Sequence, residues 1–285
     1  MKKVLITGAT GLLGTSLTAF LIKTGYNVYT HSLHSNSDFK GDLSGKAFVY
    51  DMIKKIRPEV IINLVALTDV DECERNLKKA YLINVKPVEN IVSWIKANQQ
   101  VDLIHISTDH VYDGQGPHKE DDVCLTNVYA LTKFCAELVA LQVDGVVLRT
   151  NFFGESTNPE RKSFSDWLIE VLAKKKPVTL FSDVYFSPLS LESLQHMIGR
   201  IVNSPRSGIY NLGSRDGMSK RDFAHTLASH LSLSISLAKD GLSTEAANLT
   251  YRPKDMRMDI SLFEKTFAVQ LPTLLKEIQT LRRPS

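Results

Sequence analysis

The chain has 285 residues, 43% of them hydrophobic and 23% charged, with a formal net charge of +3. Those are ordinary globular proportions, and the length suffices for a sizeable core in one large domain or two small ones. So small a basic excess, without a basic–aromatic stripe, argues against nucleic acid as a partner, and no apolar run approaches membrane-spanning length. Cys73, Cys124 and Cys135 share no metal-ligand spacing and are odd in number, so reduced thiols and a cytoplasmic protein are expected. The basic start breaks at Thr7-Gly8 after three apolar residues and does not read as a secretory leader. Lys174-Lys175-Lys176 and Arg282-Arg283 read as solvated surface and tail.

The first predicted strand, Lys2 to Thr7, is a short apolar run suited to a buried parallel strand. It runs into Gly8-Ala9-Thr10-Gly11-Leu12-Leu13-Gly14, after which Leu13, Leu17, Phe20 and Leu21 keep helical spacing up to a stop at Gly25. Three glycines between a strand and a helix form a turn able to cradle a diphosphate. The backbone comes close where no β-carbon intervenes, and the helix N-terminus meets the anion. The spacing is G-x-x-G-x-x-G, not the standard G-x-G-x-x-G.

Asn27–Thr30 is expected as a second strand, 47–56 as a helix ending before Pro58, and Val60–Leu64 as a third strand. Residues 87–98 follow as a helix with Pro at its start, then strand Leu103–Ile106, helix 128–141 and strand Gly145–Arg149. Strands alternating with helices imply right-handed crossovers and a parallel, doubly wound α/β sheet. Ligands on such sheets sit beyond the carboxyl ends of the strands, where Gly8, Ala66, Thr108 and Thr150 fall. From Asn151 the alternation becomes irregular, as in a substrate lobe, with an amphipathic helix opening at 162–168. The expected division is a nucleotide domain at 1–150, with a returning segment near 185–212, and a lobe at 151–184 and 213–285.

Chemistry concentrates between Ser107 and Lys133. Thr108 ends an apolar strand, and Tyr129 and Lys133 lie one turn apart on one helix face. Together they could hand a proton to a carbonyl oxygen while a hydride attacks its carbon.

With these motifs the chain resembles the extended short-chain dehydrogenase/reductases and, within them, the dTDP-4-dehydrorhamnose reductase family. The likeness runs nearly end to end: 7–14, Gly41-Asp42-Leu43, 57–63, 68–74, Ile83-Asn84-Val85, 107–114, 127–133, Leu148-Arg149-Thr150 and 252–259. It implies a Rossmann-type sheet with a smaller C-terminal lobe, a nucleotide-diphosphate sugar as substrate, and NADP(H) as cofactor. Tyr129 would be the general acid, Lys133 the ammonium that favours phenolate and binds the nicotinamide ribose, and Thr108 a donor to the carbonyl, with Ser107 its near competitor. Cofactor contacts would come from Gly8, Thr10, Gly11, Leu12, Leu13, Gly14, Asp42, Leu43, Val65, Ala66, Leu67, Ser107, Tyr129 and Lys133. Substrate contacts would come from Thr68, Val70, Thr108, Asp109, His110, Tyr129, Asn151, Phe152 and Arg252, the last either gripping the diphosphate or pinning the C-terminal segment.

The second strand is followed by Thr30-His31-Ser32-Leu33-His34, with no acid before Asp38. A carboxylate there would bind ribose hydroxyls and repel a 2′-phosphate, so NADPH is expected, with His31 and Ser32 as contacts, or a loop that tolerates either cofactor. Family members are usually dimers, and some bridge subunits through magnesium; Ser16 stands where an acid would be needed, so no metal is assigned. His110 replaces the usual Tyr and Phe152 the usual Trp. A related 4-ketoreductase of different base or stereochemistry, or an epimerase, therefore stays open, as does a non-catalytic regulatory subunit. A dehydratase would carry Glu at position 110.

Overall fold

The computed structural model describes residues 1–34, 36–98, 101–156, 161–245 and 250–282, so Arg283 lies outside the described residues. In chain order the elements are β1 (Lys3–Thr7), α1 (Leu12–Lys23), β2 (Asn27–Ser32), β3 (Phe39–Lys40), α2 (Lys46–Ile56), β4 (Val60–Asn63), α3 (Val70–Arg75), α4 (Leu77–Asn84), α5 (Lys86–Ala97), β5 (Asp102–Thr108), α6 (Val128–Ala140) and β6 (Val146–Thr150). They continue with β7 (Phe152–Phe153), α7 (Phe164–Ala173), β8 (Val178–Phe181), β9 (Tyr185–Phe186), β10 (Leu189–Ser190), α8 (Leu191–Asn203), β11 (Gly208–Leu212), β12 (Met218–Ser219), α9 (Lys220–Leu231), β13 (Ala238–Gly241), α10 (Ser261–Phe267) and α11 (Leu274–Gln279).

Seven strands form one sheet in the order β11-β6-β5-β4-β1-β2-β3. The registers Thr7↔Asn63 and Asn63↔His105 are parallel, so the carboxyl ends of β1, β4 and β5 share one edge. This is the expected doubly wound α/β sheet. Two short helices in 64–86 and strand β3 were not anticipated; six- and eight-residue helices carry too little periodicity to read, and β3 has two residues. Asp69 starts α3 by accepting from the Glu72 N–H at 2.9 Å, and Asn76 starts α4 by accepting from Lys79 N–H at 3.0 Å.

The chain divides into two compact units: Met1–Thr108, Asn127–Arg149 and Gln195–Tyr210 form one, and Asp109–Thr126, Thr150–Leu194 and Asn211–Ser285 the other. In the first, α2, α5 and α6 cover one sheet face. Leu5, Ile61, Leu103 and Val147 pack there against Ile53, Val88, Ile91, Trp94 and Ala136. Burying large apolar side chains of this kind contributes about 1.5–3 kcal/mol each.

The second unit has its own core of Phe153, Leu168, Phe186, Phe223, Met256, Leu274 and Ile278. Its α7 begins with a capping box, in which Ser163 and Asp166 satisfy each other's backbone N–H groups. Two boundaries differ from the sequence reading. Asp109–Thr126 belongs to this unit, not to the nucleotide domain, because it is tied to the C-terminal segment. His118 N–H donates to Arg257 O at 2.8 Å, Gly116 N–H to Asp255 at 2.9 Å, and Tyr112 OH to Asn211 at 2.6 Å. The return to the first unit begins at Gln195, within α8, not near 185.

Candidate active site

The glycine turn is built as a cradle. Gly8 has φ +74°, a backbone favourable for glycine, and a β-carbon there would lie 3.1 Å from Val65 N. One on Gly14 would lie 2.5 Å from Gly8 O and 2.7 Å from Ala9, so α1 approaches the turn as closely as it does only because residue 14 has no side chain. Gly11 caps α1 without a side-chain oxygen, leaving the helix entrance to an anion. Ala9 N–H donates to His31 O at 2.9 Å, fixing the turn to β2. Leu13 is buried, while Thr10 and Leu12 are half-buried beside it. This geometry fits a dinucleotide diphosphate.

At the far end of β2, His31 and Ser32 are both 2% exposed. The unforeseen β3 pairs with them, His31 Nε2 bonds Gly41 O at 2.9 Å, and Ser32 Oγ meets Ser37 Oγ at 2.9 Å. His31 Nε2 and Ser32 Oγ are therefore engaged within the sheet edge, while His31 Nδ1 is buried without a hydrogen-bond partner. Burial also lowers the pKa of His31. Asp38, the first acid after β2, accepts from Thr30 N–H at 2.8 Å and Thr30 Oγ1 at 2.7 Å. Asp42 is exposed and holds Ser44 N–H and hydroxyl, each at 2.8 Å, while Leu43 is buried in the core.

Thr108 is the last residue of β5 and is buried, as are Tyr129 and Lys133 on α6. Asn127 starts α6 by accepting from Ala130 N–H at 2.9 Å. The Lys133 ammonium donates to Ile106 O at 2.6 Å, and burial pulls its pKa down to about 8, against the upward pull of Glu137. Ser107 is no competitor for Thr108. It lies on the opposite pleat and its hydroxyl donates to Glu137. Val70 is 6% exposed and packs with Cys73, Ala80 and Tyr129, so it supports the Tyr129 ring instead of lining a substrate site. Thr68 is exposed in the loop between β4 and α3; Val65, Ala66 and Leu67 before it are half-buried.

Three neighbours of this site escaped the sequence reading. Asn84 accepts from Leu67 N–H at 2.6 Å and donates to Thr132 at 3.0 Å, bracing the β4–α3 loop against α6. Across three strands, Thr7 hydroxyl donates to Asn63 at 2.6 Å, and Asn63 Nδ2 donates to His105 Nδ1 at 3.0 Å. Burial and the Lys133 charge hold His105 neutral, its pKa well below the usual value. Glu137 and Arg149 form a fully buried ion pair. The signal for it was present: a charged residue ending the run Val146-Val147-Leu148 demands a partner.

In the second unit Asp109 is 1% exposed and accepts from Asn151 Nδ2 at 2.7 Å. A cavity of about 220 Å³ is lined by His110, Lys220, Arg252, Lys254, Phe181 and Tyr251, among others. Lys254 pairs with Asp183 at 2.7 Å, and Lys220 and Arg252 also line the cavity. Burial lowers the pKa of Lys220, with Asp109 opposing, and burial beside Lys220 and Arg252 pulls His110 down to about 3. Histidine is thus neutral here at physiological pH. Arg252 donates to Thr250 O at 2.8 Å, so it both orders its own segment and faces the cavity. Phe152 lies in β7, paired with Leu189, and is not among the residues lining the cavity. Lys220 was missed because an isolated lysine opening a helix carries no motif.

No metal is assigned to this chain. Ser16 supplies no carboxylate, Glu192 is exposed, and no group of three His, Cys, Asp or Glu suited to a metal occurs among the described residues.

A family model described as the RmlD substrate binding domain matches residues 1–283. The chain is 31% identical over 290 residues to a dTDP-4-dehydrorhamnose reductase from Escherichia coli, covering 94% of this chain and 93% of that protein. It is similar to the crystal structure of a hypothetical dTDP-4-dehydrorhamnose reductase from Sulfolobus tokodaii, with 33% identity, a TM-score of 0.86 and coverage of 97% and 99%. A dTDP-4-dehydrorhamnose reductase from Bacillus anthracis, solved in complex with NADP, shares the fold at 24% identity and a TM-score of 0.86, with 98% of each chain covered.

Proposed function

The chain belongs to the RmlD substrate-binding-domain family, and on that premise we propose that it is an NADPH-dependent reductase of a nucleotide-linked 4-keto-6-deoxyhexose, of the dTDP-4-dehydrorhamnose reductase type, working in deoxysugar biosynthesis. The observation that carries this reading is the buried Tyr129–Lys133 pair on α6, with the Lys133 ammonium fixed on Ile106 O. NADPH, when bound, supplies the hydride. Gly8, Thr10, Gly11, Leu12, Leu13 and Gly14 hold its diphosphate, and Val65, Ala66 and Leu67 flank it. Thr108 donates a hydrogen bond to the substrate carbonyl oxygen. Tyr129 gives that oxygen its phenolic proton as negative charge develops, and Lys133 stabilises the phenolate left behind.

In the second unit Lys220 and Arg252 bind the nucleotide diphosphate, and Asp109, Asn151 and neutral His110 offer hydrogen bonds to sugar hydroxyls. His110 in place of the family's Tyr favours one second reading: a sister 4-ketoreductase acting on another base or sugar configuration. The pairing of an intact Thr108 with buried Tyr129 and Lys133 speaks against a purely regulatory subunit, since a bare binding module has no use for an ammonium buried at this cost.

Purified protein is to be given NADPH with dTDP-, GDP-, CDP- and UDP-linked 4-keto sugars while loss of reduced cofactor is followed. Oxidation with the dTDP sugar is expected; none with any sugar would end the reductase reading. The commitment of Asp38 to Thr30 supports NADPH over NADH, and equal efficiency with NADH would overturn that preference. Leu131 and Leu138, 43% and 49% exposed and seven residues apart on α6, support a homodimer through this helix, testable by light scattering. Three free thiols fit a reducing, cytoplasmic setting.

A further inference from the structure

Glu137 and Arg149 have side chains 0% and 1% exposed. An ion pair removed this completely from water contributes little net stability, because desolvation offsets the attraction. Its place in the helix suggests another use. Tyr129, Lys133 and Glu137 recur every four residues and stack along one face of α6. Arg149 Nε donates to both Glu137 oxygens, at 3.0 and 3.1 Å, and a second guanidinium nitrogen reaches one of them at 2.6 Å. Ser107 donates from β5 to the same carboxylate. The carboxylate is thus clamped from two strands and cannot swing.

We propose that Glu137 is a positioning residue: clamped by Arg149 and Ser107 one turn beyond Lys133, it keeps the Lys133 ammonium charged and in place beneath Tyr129. This rests on the reductase reading of Tyr129 and Lys133. Around Lys133 the other faces offer little counter-charge. On β5, His105 is held neutral and Ile106 gives only its carbonyl. On α3 the buried Cys73 thiol is pushed up to about 11 and stays protonated, while Glu74 bonds Val128 N–H at the opposite end of α6. On α4, Asn84 is occupied by Leu67 and Thr132, and α5 turns Val88, Ile91 and Trp94 inward. From β6, Arg149 is a like charge. Glu137 is therefore the anion that opposes the desolvation of Lys133, and burial already brings that ammonium down to about 8. Arg149 in turn holds the Glu137 carboxylate through its Nε and a second guanidinium nitrogen.

The arrangement has a signed consequence. Glu137→Gln removes the anion and leaves a buried guanidinium, so Lys133 should lose its proton about one pH unit or more lower. Arg149→Met strips the guanidinium from a fully buried carboxylate, which then takes up a proton, so Lys133 should move downward as well. Glu137→Met with Arg149→Met removes both charges, a change buried pairs often tolerate, and should lower the Lys133 midpoint by less than Glu137→Gln alone. The midpoint is read by NMR titration of protein carrying 13Cε-lysine, with the Lys133 resonance assigned by its loss in Lys133→Arg. That readout requires no turnover, so it stands apart from the reductase assay. Where activity is measured, the alkaline limb of the kcat/KM profile should follow the NMR midpoint. Downward shifts in both single variants, with a smaller downward shift in the double variant than in Glu137→Gln, support the proposal. A Lys133 midpoint that stays at its wild-type pH in Glu137→Gln or in the double variant overturns it and leaves the pair a structural strut.

Discussion

Gly14→Ala isolates the contribution of the cradle. Position 14 lies inside α1, where Ala is ordinarily better than Gly by about 1 kcal/mol. Here the new β-carbon would sit 2.5 Å from Gly8 O and 2.7 Å from Cα and C of Ala9, all backbone atoms with no flexible end to yield. Overpacking of this kind costs about 1–3 kcal/mol, and an overlap of this depth belongs at the upper end. The steric term therefore wins, for a net loss of about 1–2 kcal/mol and a fall in Tm of roughly 2–8 °C. Relief comes by moving the α1 N-terminus off the turn, which separates the helix N–H groups from the bound diphosphate. NADPH should bind at least about tenfold more weakly, equivalent to 1.4 kcal/mol. Fluorescence titration with NADPH and a thermal scan measure both quantities. Gly25→Ala serves as the control. Nothing lies within 4 Å of its β-carbon but its φ is +92°, so strain should lower Tm while leaving NADPH affinity alone. Unchanged NADPH affinity in Gly14→Ala, or a Tm raised as helix propensity alone would have it, refutes the cradle.

Tyr129→Phe keeps the ring packed against Val70 and Cys73 but removes the proton donor, so kcat should fall by roughly 100-fold or more with NADPH binding retained. Lys220→Met and Arg252→Ala should each raise KM for the nucleotide sugar about tenfold or more with a smaller change in kcat, as steady-state kinetics will tell. Lys133→Met should abolish turnover yet raise stability at pH 7 by about 3 kcal/mol, because the buried ammonium has its pKa pulled from 10.5 to about 8. The wild-type penalty is fully present below pH 8 and is relieved as pH rises from 8 toward 10.5, where folded Lys133 has lost its proton and the unfolded chain has not. Denaturant melts of both proteins should therefore converge across that window; a constant gap would contradict the assigned burial cost.

Local sequence determined what depends on near neighbours. The run Val4-Leu5-Ile6, the glycines at 8, 11 and 14, and the four-residue spacing of Tyr129 and Lys133 each specify a strand, a turn or a helix face through contacts a few residues apart. Hence the doubly wound sheet and the shared helix face of Tyr129 and Lys133 were legible, with element ends off by one or two residues where fraying or pairing decides them. What required the tertiary structure is everything set by atoms distant in the chain. The two-residue β3 forms only because the edge of β2 is there to pair with it, and that pairing buries the His31 and Ser32 side chains expected to face the cofactor. Asp109–Thr126 joins the second unit because its hydrogen-bond partners lie near residues 211 and 255. Charge is the clearest case. The type and order of residues reveal that Lys133 is an ammonium, but its acidity depends on how much water packing removes and on where Glu137 and Arg149 are held, and those quantities exist only in three dimensions.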